Sequence, residues 1–169
     1  ADLTLAGVET VSLAFSGSTN NLDVVAAAAT SLTLSGSSDV TVGNLNTATS
    51  TSLKTIDGST LTGALTLTTG SMSQIGSAAL NVTTGSGADV IDVSGHTAGN
   101  LVVSLGAGND KVTIALDATD TLTGGVGTDT LATTSAVAAV TSVSGFETLQ
   151  ANDAIAQDMD NLTGNLIAT

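Results

Sequence analysis

Three glycine-rich segments each place an aspartate directly before a short pattern of alternating apolar residues. The segments are Thr84 to Asp92, Leu105 to Thr113, and Gly124 to Ala132. Each contains a G-x-G-x-D core, and the aspartates of the cores are Asp89, Asp110 and Asp129. Paired glycines let the backbone take positive φ values, so that carbonyl oxygens can turn inward together. Such a loop offers hard oxygen ligands, which are the ligands that Ca²⁺ prefers.

Calcium takes about six to eight oxygen ligands at about 2.3–2.6 Å, which is more than one such loop supplies. The spacing therefore predicts sites shared between stacked loops, with Asp89 beside Asp110 and Asp110 beside Asp129. Asp110 is the central ligand in this arrangement. The alternative is that the segments are ordinary tight turns, where Gly and Asp are favoured anyway. Three copies at a nearly constant spacing favour the ion-binding interpretation.

The composition limits the kind of core that the chain can build. Only two of the 169 residues are aromatic, Phe15 and Phe146, yet 41% are apolar, and these are small or β-branched. Such side chains suit thin stacked layers of a solenoid better than a thick core. Short alternating patterns recur every 8 to 12 residues between Gly, Ser, Thr, Asn and Asp, and proline is absent. We predict an all-β protein, a parallel β-roll or β-solenoid of short strands with calcium-binding Gly-Asp turns.

The motifs divide the chain into three portions. Residues 1–83 lack a clean calcium motif and are expected to form a motif-poor β-solenoid, with a β-sandwich as the alternative. Residues 84–132 form the calcium-binding β-roll, and residues 133–169 continue the solenoid or begin a new block. A G-x-E-T-apolar element supports the second possibility, because it occurs at Gly7–Val11 and again at Gly145–Leu149. Single helical turns are expected at Val24–Thr30 and within Ala151–Asn161.

Charge excludes several classes of partner. The formal net charge is −13, with 15 acidic residues, two lysines and no arginine. Nucleic acid and anionic membrane surfaces are poor partners for such a chain, whereas divalent cations are natural ones. Cysteine is absent, which excludes disulfides and thiolate metal sites. No apolar stretch is long enough to insert into a membrane.

Catalytic signatures are missing, so we expect a protein that is not an enzyme. His96 is the only histidine, and it stands in a polar turn, where an ordinary structural role is the simpler interpretation. The chain contains no G-x-S-x-G elbow, H-E-x-x-H pair or Walker phosphate loop. Carboxylate pairs such as Asp89 and Asp92 are better explained as calcium ligands or rim charges, because no aromatic platform for a sugar accompanies them.

The three segments resemble the nonapeptide G-G-x-G-x-D-x-U-x of the RTX family, whose members fold as parallel β-rolls with calcium between turns. The third segment matches throughout, whereas Thr84 and Leu105 replace the opening glycine of the first two. A family turn has about 18 residues. The motif aspartates are 21 and 19 residues apart, which implies that they lie on one side of the roll. Remnants at Asn100 and Asp120 imply a weaker or absent second row on the opposite side.

The predicted calcium site combines the carboxylates with the loop residues that turn carbonyl groups inward. Its members are Thr84, Gly85, Gly87, Asp89, Asp92, Asn100, Leu105, Gly106, Gly108, Asp110, Asp120, Gly124, Gly125, Gly127 and Asp129.

The Thr/Ser/Ala/Gly-rich strands, the lack of Cys and Pro, and the G-x-E-T element resemble the S-layer proteins of Gram-negative bacteria, of the Caulobacter type. The resemblance implies a secreted protein that assembles with copies of itself into a lattice on the bacterial cell surface. It also implies calcium-dependent folding, and anchoring on lipopolysaccharide through another part of the parent chain. Two alternatives stay open, the stalk of a secreted RTX adhesin and the export and folding module of a secreted RTX hydrolase.

Overall fold

The computed structural model describes residues 2–45, 52–68, 79–96, 99–135 and 142–151. Within these ranges the regular secondary structure consists of short β-strands only. The strands are β1 (Asp2–Thr4), β2 (Thr10–Phe15), β3 (Asn20–Val25), β4 (Ser31–Gly36), β5 (Val40–Leu45), β6 (Thr55–Leu61), β7 (Leu65–Leu67), β8 (Leu80–Thr83), β9 (Val90–Asp92), β10 (Leu101–Ser104), β11 (Lys111–Ile114), β12 (Thr121–Thr123), β13 (Thr130–Thr133), β14 (Val143–Ser144) and β15 (Thr148–Ala151). Those ranges contain no helix that is long and apolar enough to cross a membrane.

The strands alternate between two parallel sheets. The eight odd-numbered strands form sheet A, the seven even-numbered strands form sheet B, and strands that neighbour each other in a sheet are two apart in sequence. The chain thus winds through about six turns of a right-to-left stacked pair of sheets, which is a parallel β-solenoid. The predicted fold class is confirmed.

Aliphatic columns fill the space between the sheets. In sheet B one column runs through consecutive strands by strand register, from Val11 and Leu32 to Leu122 and Val143. All four side chains are 0–3% exposed. Parallel strands are about 4.8 Å apart, so each side chain stacks on its equivalent in the next turn. This stacking explains how a chain with two aromatic residues forms a continuous core.

The turns between sheets differ in length and carry the predicted site. We call the turns that lead from sheet B to sheet A the B-to-A turns, and those that lead back the A-to-B turns. Strand register gives one solenoid turn as 18 residues at Thr130–Thr148 and as 26 residues at Thr55–Asn81. All three G-x-G-x-D cores lie in B-to-A turns, directly before β9, β11 and β13.

Two local expectations meet the structure differently. The helical turn expected at Val24–Thr30 is wrong: β3 extends to Val25, and a tight turn follows in which the Ala29 amide donates to the Ala26 carbonyl at 2.9 Å. Ala26 and Ala29 are buried, so packing against the core overrides the helix propensity of alanine. The turn expected within Ala151–Asn161 lies outside the described residues, apart from Ala151 in β15.

The two G-x-E-T elements share a conformation but not an edge. Gly7 has φ 70° and Gly145 has φ 69°. However, the first element leads into β2 of sheet B, and the second leads into β15 of sheet A. The division at residue 83 stays a prediction, although β8 pairs with both β6 and β10 across it.

Candidate metal centre

The three motif aspartates form one inward-facing column of sheet A. Register places Asp89, Asp110 and Asp129 at equivalent positions, one residue before β9, β11 and β13. The same column holds Val40 and Leu65 in earlier turns, which are 1% and 0% exposed. The three aspartates are 0–2% exposed. Carboxylates therefore occupy positions that elsewhere in this solenoid hold core aliphatics.

Each carboxylate reaches back to the preceding turn with one oxygen. Asp89 Oδ1 accepts a hydrogen bond from the Leu65 amide at 2.7 Å. Asp110 Oδ1 accepts one from the Asp89 amide at 2.8 Å, and Asp129 Oδ1 accepts one from the Asp110 amide at 2.9 Å. These contacts make a ladder along the solenoid axis, with Asp110 at its centre.

The second oxygen of each carboxylate has no partner. The Oδ2 atoms of Asp89, Asp110 and Asp129 are buried and accept no hydrogen bond. Burial raises the pKa of all three carboxyls, because the charged form loses its hydration. For Asp110 the pKa rises to about 6, and the charges of Asp89 and Asp129 add to the effect of burial. Three buried, unpartnered carboxylate oxygens are costly unless a proton or a cation neutralises them.

Glycines let successive B-to-A turns stack in close contact. Gly106 and Gly125 have φ 80° and 112°, and Gly108 and Gly127 have φ 138° and 152°. A Cβ on Gly125 would overlap the Gly106 carbonyl oxygen, and one on Gly127 would overlap the Gly108 carbonyl oxygen. The carbonyl groups of one turn thus face the backbone of the next. Gly85 and Gly87 fit in the same way, each against the backbone of the turn before it.

The opening positions of the three loops are equivalent, but their side chains differ. The amides of Thr84, Leu105 and Gly124 each donate to the last strand residue of the following turn in sheet B, at 2.9–3.0 Å. The Thr84 hydroxyl donates to the Leu105 carbonyl at 2.6 Å. Leu105 is fully buried in the aliphatic core. Gly124 has no side chain there.

The remaining predicted residues are not part of this column. Asp92 lies at the other end of β9, where its Oδ1 accepts from the Ser94 amide and hydroxyl at 3.0 and 2.6 Å. Asp120 lies in an A-to-B turn and is buried, and both of its oxygens are bonded, to the Leu101 amide at 3.1 Å and the Asp117 amide at 2.9 Å. Asn100 precedes β10 in an A-to-B turn and is exposed.

Asp120 therefore plays a structural part on the opposite edge. It follows Leu80 and Leu101 in an inward column of sheet B, as the motif aspartates follow Leu65 in sheet A. Burial raises the pKa of Asp120, as it does for the other three. Unlike them it has no unpartnered oxygen, so this edge lacks the feature that would attract a cation.

Sequence reasoning missed Glu147 as a fourth member of the carboxylate column. Register aligns it with Asp129, and its Oε2 accepts from the Asp129 amide at 2.7 Å. The signal was present, since Glu147 is 18 residues after Asp129 and stands directly before a strand. Its G-x-E pattern was assigned to a separate repeat, and the spacing was not compared.

The donor set fits calcium in kind. It consists of oxygen atoms only, it includes three buried carboxylate oxygens without partners, and glycine carbonyls surround it. Among the described residues no group of three or more His, Cys, Asp or Glu side chains comes together to hold a metal ion. Any ion in the B-to-A turns must therefore take much of its coordination from backbone carbonyls, as expected for G-x-G-x-D loops.

No family model matches the chain, and no curated protein or solved structure matches it either. The likeness to the RTX nonapeptide thus rests on the three segments themselves.

Proposed function

We propose that the chain is a structural protein whose B-to-A turns bind calcium and whose stability at neutral pH depends on that ion. The observation that carries the proposal is the column of Asp89, Asp110 and Asp129, each with a buried Oδ2 that lacks a partner. A surface ion pair or a hydrogen-bonded turn would not leave such atoms. A divalent cation supplies the missing charge.

Calcium binding then becomes folding energy, because the site exists only when consecutive turns are stacked. Without the ion, three buried carboxylates oppose the fold at neutral pH. The chain is then loose enough for export at the low calcium concentration of the cytosol. Outside the cell, calcium neutralises the column and holds the turns together.

A catalytic role is not part of the proposal. His96 lies in an A-to-B turn, where it is buried and its charge acts on Asp117 and Asp120. The carboxylates with unpartnered oxygens all lie in B-to-A turns. The residues that could do acid–base chemistry are thus divided between two edges of the solenoid.

At the level of the cell, the resemblance to S-layer proteins supports secretion, a place on the bacterial surface and assembly with copies of the same chain. Attachment to lipopolysaccharide would then belong to another part of the parent protein. The adhesin stalk and the hydrolase export module share the calcium chemistry and differ in assembly. Growth of the calcium-bound protein into large particles favours the lattice over both alternatives.

A calcium titration of the isolated chain tests the proposal. We expect the β signal in circular dichroism and the melting temperature to rise with calcium and not with an equal concentration of magnesium, which demands a small octahedral site. Light scattering over the same range reports assembly. A metal-stripped protein that is fully folded at pH 7 and gains no stability from calcium would overturn the proposal.

A further inference from the structure

The three G-x-G-x-D loops differ at the point where a carboxylate oxygen meets the next turn. At the third loop, a Cβ placed on Gly124 would overlap the Gly145 carbonyl oxygen and lie 2.9 Å from Asp129 Oδ2. Both oxygens are therefore within 2.9 Å of one point. Calcium–oxygen distances are about 2.3–2.6 Å, so one ion can reach two oxygens that are this close together. No side chain stands between them.

The corresponding point in the first loop is occupied. The Thr84 hydroxyl donates its only proton to the Leu105 carbonyl, which is the equivalent of the Gly145 carbonyl. A carbonyl oxygen that already accepts a 2.6 Å hydrogen bond is a poorer ligand. In the second loop the position belongs to Leu105, whose side chain is fully buried among aliphatics. Neither loop leaves the opening that Gly124 leaves.

The turn that follows the third loop is also held in place by a carboxylate. Glu147 Oε2 accepts from the Asp129 amide at 2.7 Å, which ties the Gly145–Glu147 turn to the aspartate whose other end faces Gly145. Asp129 Oδ1 is bonded to the Asp110 amide at 2.9 Å. With its backbone and one oxygen fixed, Asp129 can offer only Oδ2, which is fully buried and unpartnered.

We propose that the strongest calcium site lies between the third loop and the Gly145–Glu147 turn, with Asp129 Oδ2 and the Gly145 carbonyl as ligands, Gly124 as the residue that leaves room for the ion, and Glu147 as a positioning residue. The inference rests on the proposed calcium binding. It moves the main ligand from Asp110, which the spacing of the motifs favours, to Asp129. It also makes the G-x-E-T element part of the site.

Isothermal titration of the full chain with calcium chloride tests the placement, with Asp129→Asn compared against Asp89→Asn. Both substitutions keep an oxygen for the hydrogen bond to the preceding turn and remove one charge. We expect Asp129→Asn to weaken the tightest site about tenfold or more, and Asp89→Asn to change it by less than about threefold. Equal losses in the two variants, or a larger loss in Asp89→Asn, would overturn the placement.

A second pair of variants exchanges the opening residues. Gly124→Thr copies the first loop into the third and should remove the tightest site, whereas Thr84→Gly copies the third loop into the first and should leave it intact. Because Gly124→Thr can also disturb folding, the melting temperature of the stripped protein is measured beside the calcium-induced shift. For Asp129→Asn we expect a melting temperature of the stripped protein at or above that of the wild type, with little calcium-induced shift.

The failures of the two proposals differ. Absence of calcium binding by the wild-type chain overturns the proposed function itself. Calcium binding that survives in Asp129→Asn but is lost in Asp110→Asn overturns only the placement. Glu147→Gln separates positioning from ligation: it retains an oxygen for the Asp129 amide, so an affinity within about threefold of wild type is expected, and a tenfold loss would make Glu147 a ligand.

Discussion

The stability of the metal-free protein should fall as the pH rises from 4 to 7. Burial and the neighbouring charges of Asp89 and Asp129 raise the pKa of Asp110 from 3.8 to about 6. A raised pKa in the folded state means that the folded protein binds this proton more tightly than the unfolded chain does. The stabilisation is fully present below pH 3.8 and is lost as the pH passes through about 6.

The size of the effect follows from the same shift. One pKa unit corresponds to about 1.4 kcal/mol, so Asp110 alone lowers the free energy of unfolding by about 3 kcal/mol between pH 4 and pH 7. The pKa values of Asp89, Asp120 and Asp129 are raised as well, and these groups act in the same direction. The pKa of Asp57 and of Asp117 is lowered, so their contribution changes only below this pH window.

Urea unfolding of metal-stripped protein at several pH values measures the effect, with Asp110→Asn as the control. The asparagine keeps an oxygen for the Asp89 amide but carries no charge, so the variant should be more stable than wild type by about 3 kcal/mol at pH 7 and should lose most of the slope. Saturating calcium should also flatten the wild-type profile at neutral pH. A free energy of unfolding that rises from pH 4 to pH 7 in the stripped wild type would refute the reasoning.

Three further predictions concern the turns and the core. Gly127→Ala should destabilise the protein by more than about 2 kcal/mol, because the methyl group overlaps the Gly108 carbonyl, whereas Gly7→Ala, with nothing within 4 Å, should cost only the left-handed strain of about 1–2 kcal/mol; equal values in urea unfolding would contradict this. Asp120→Ala should lower stability by about 1–3 kcal/mol for each amide left unbonded, yet keep calcium affinity within about twofold, and an affinity loss as large as that of Asp129→Asn would place a calcium site on the opposite edge. Phe146→Ala should cost about 3–5 kcal/mol in the same assay, since this side chain is fully buried, and a loss below 1 kcal/mol would show that the Gly145–Glu147 turn is not packed as described.

The sequence was sufficient to predict the fold because the pattern is local. Each strand alternates apolar and polar residues, and each turn contains Gly, Asn or Asp, so the strand spacing alone indicates a solenoid. The alignment of Asp89, Asp110 and Asp129 in one column also follows from their spacing. The structure adds the direction of that column, which faces the core and not solvent.

Other features depend on packing between turns, which spacing alone does not encode. The alanines after β3 form a tight turn, because Ala26 and Ala29 contribute to the core. The difference between Thr84 and Gly124 becomes visible only when the next turn is in place, since the hydroxyl of one and the open space of the other both meet a carbonyl from that turn. Glu147 was missed for the same reason.

The carboxylate column is not needed to build the solenoid. Val40 and Leu65 occupy the same column in earlier turns, with 1% and 0% exposure, and their strands pair in the same parallel register. Aliphatic residues at positions 89, 110 and 129 would therefore suit the core and would avoid burying charge. A local choice that opposes stability without a gain elsewhere is typical of a functional site. The position of the three aspartates, more than their number, is what favours a role in binding a cation that the folded chain gains from its surroundings.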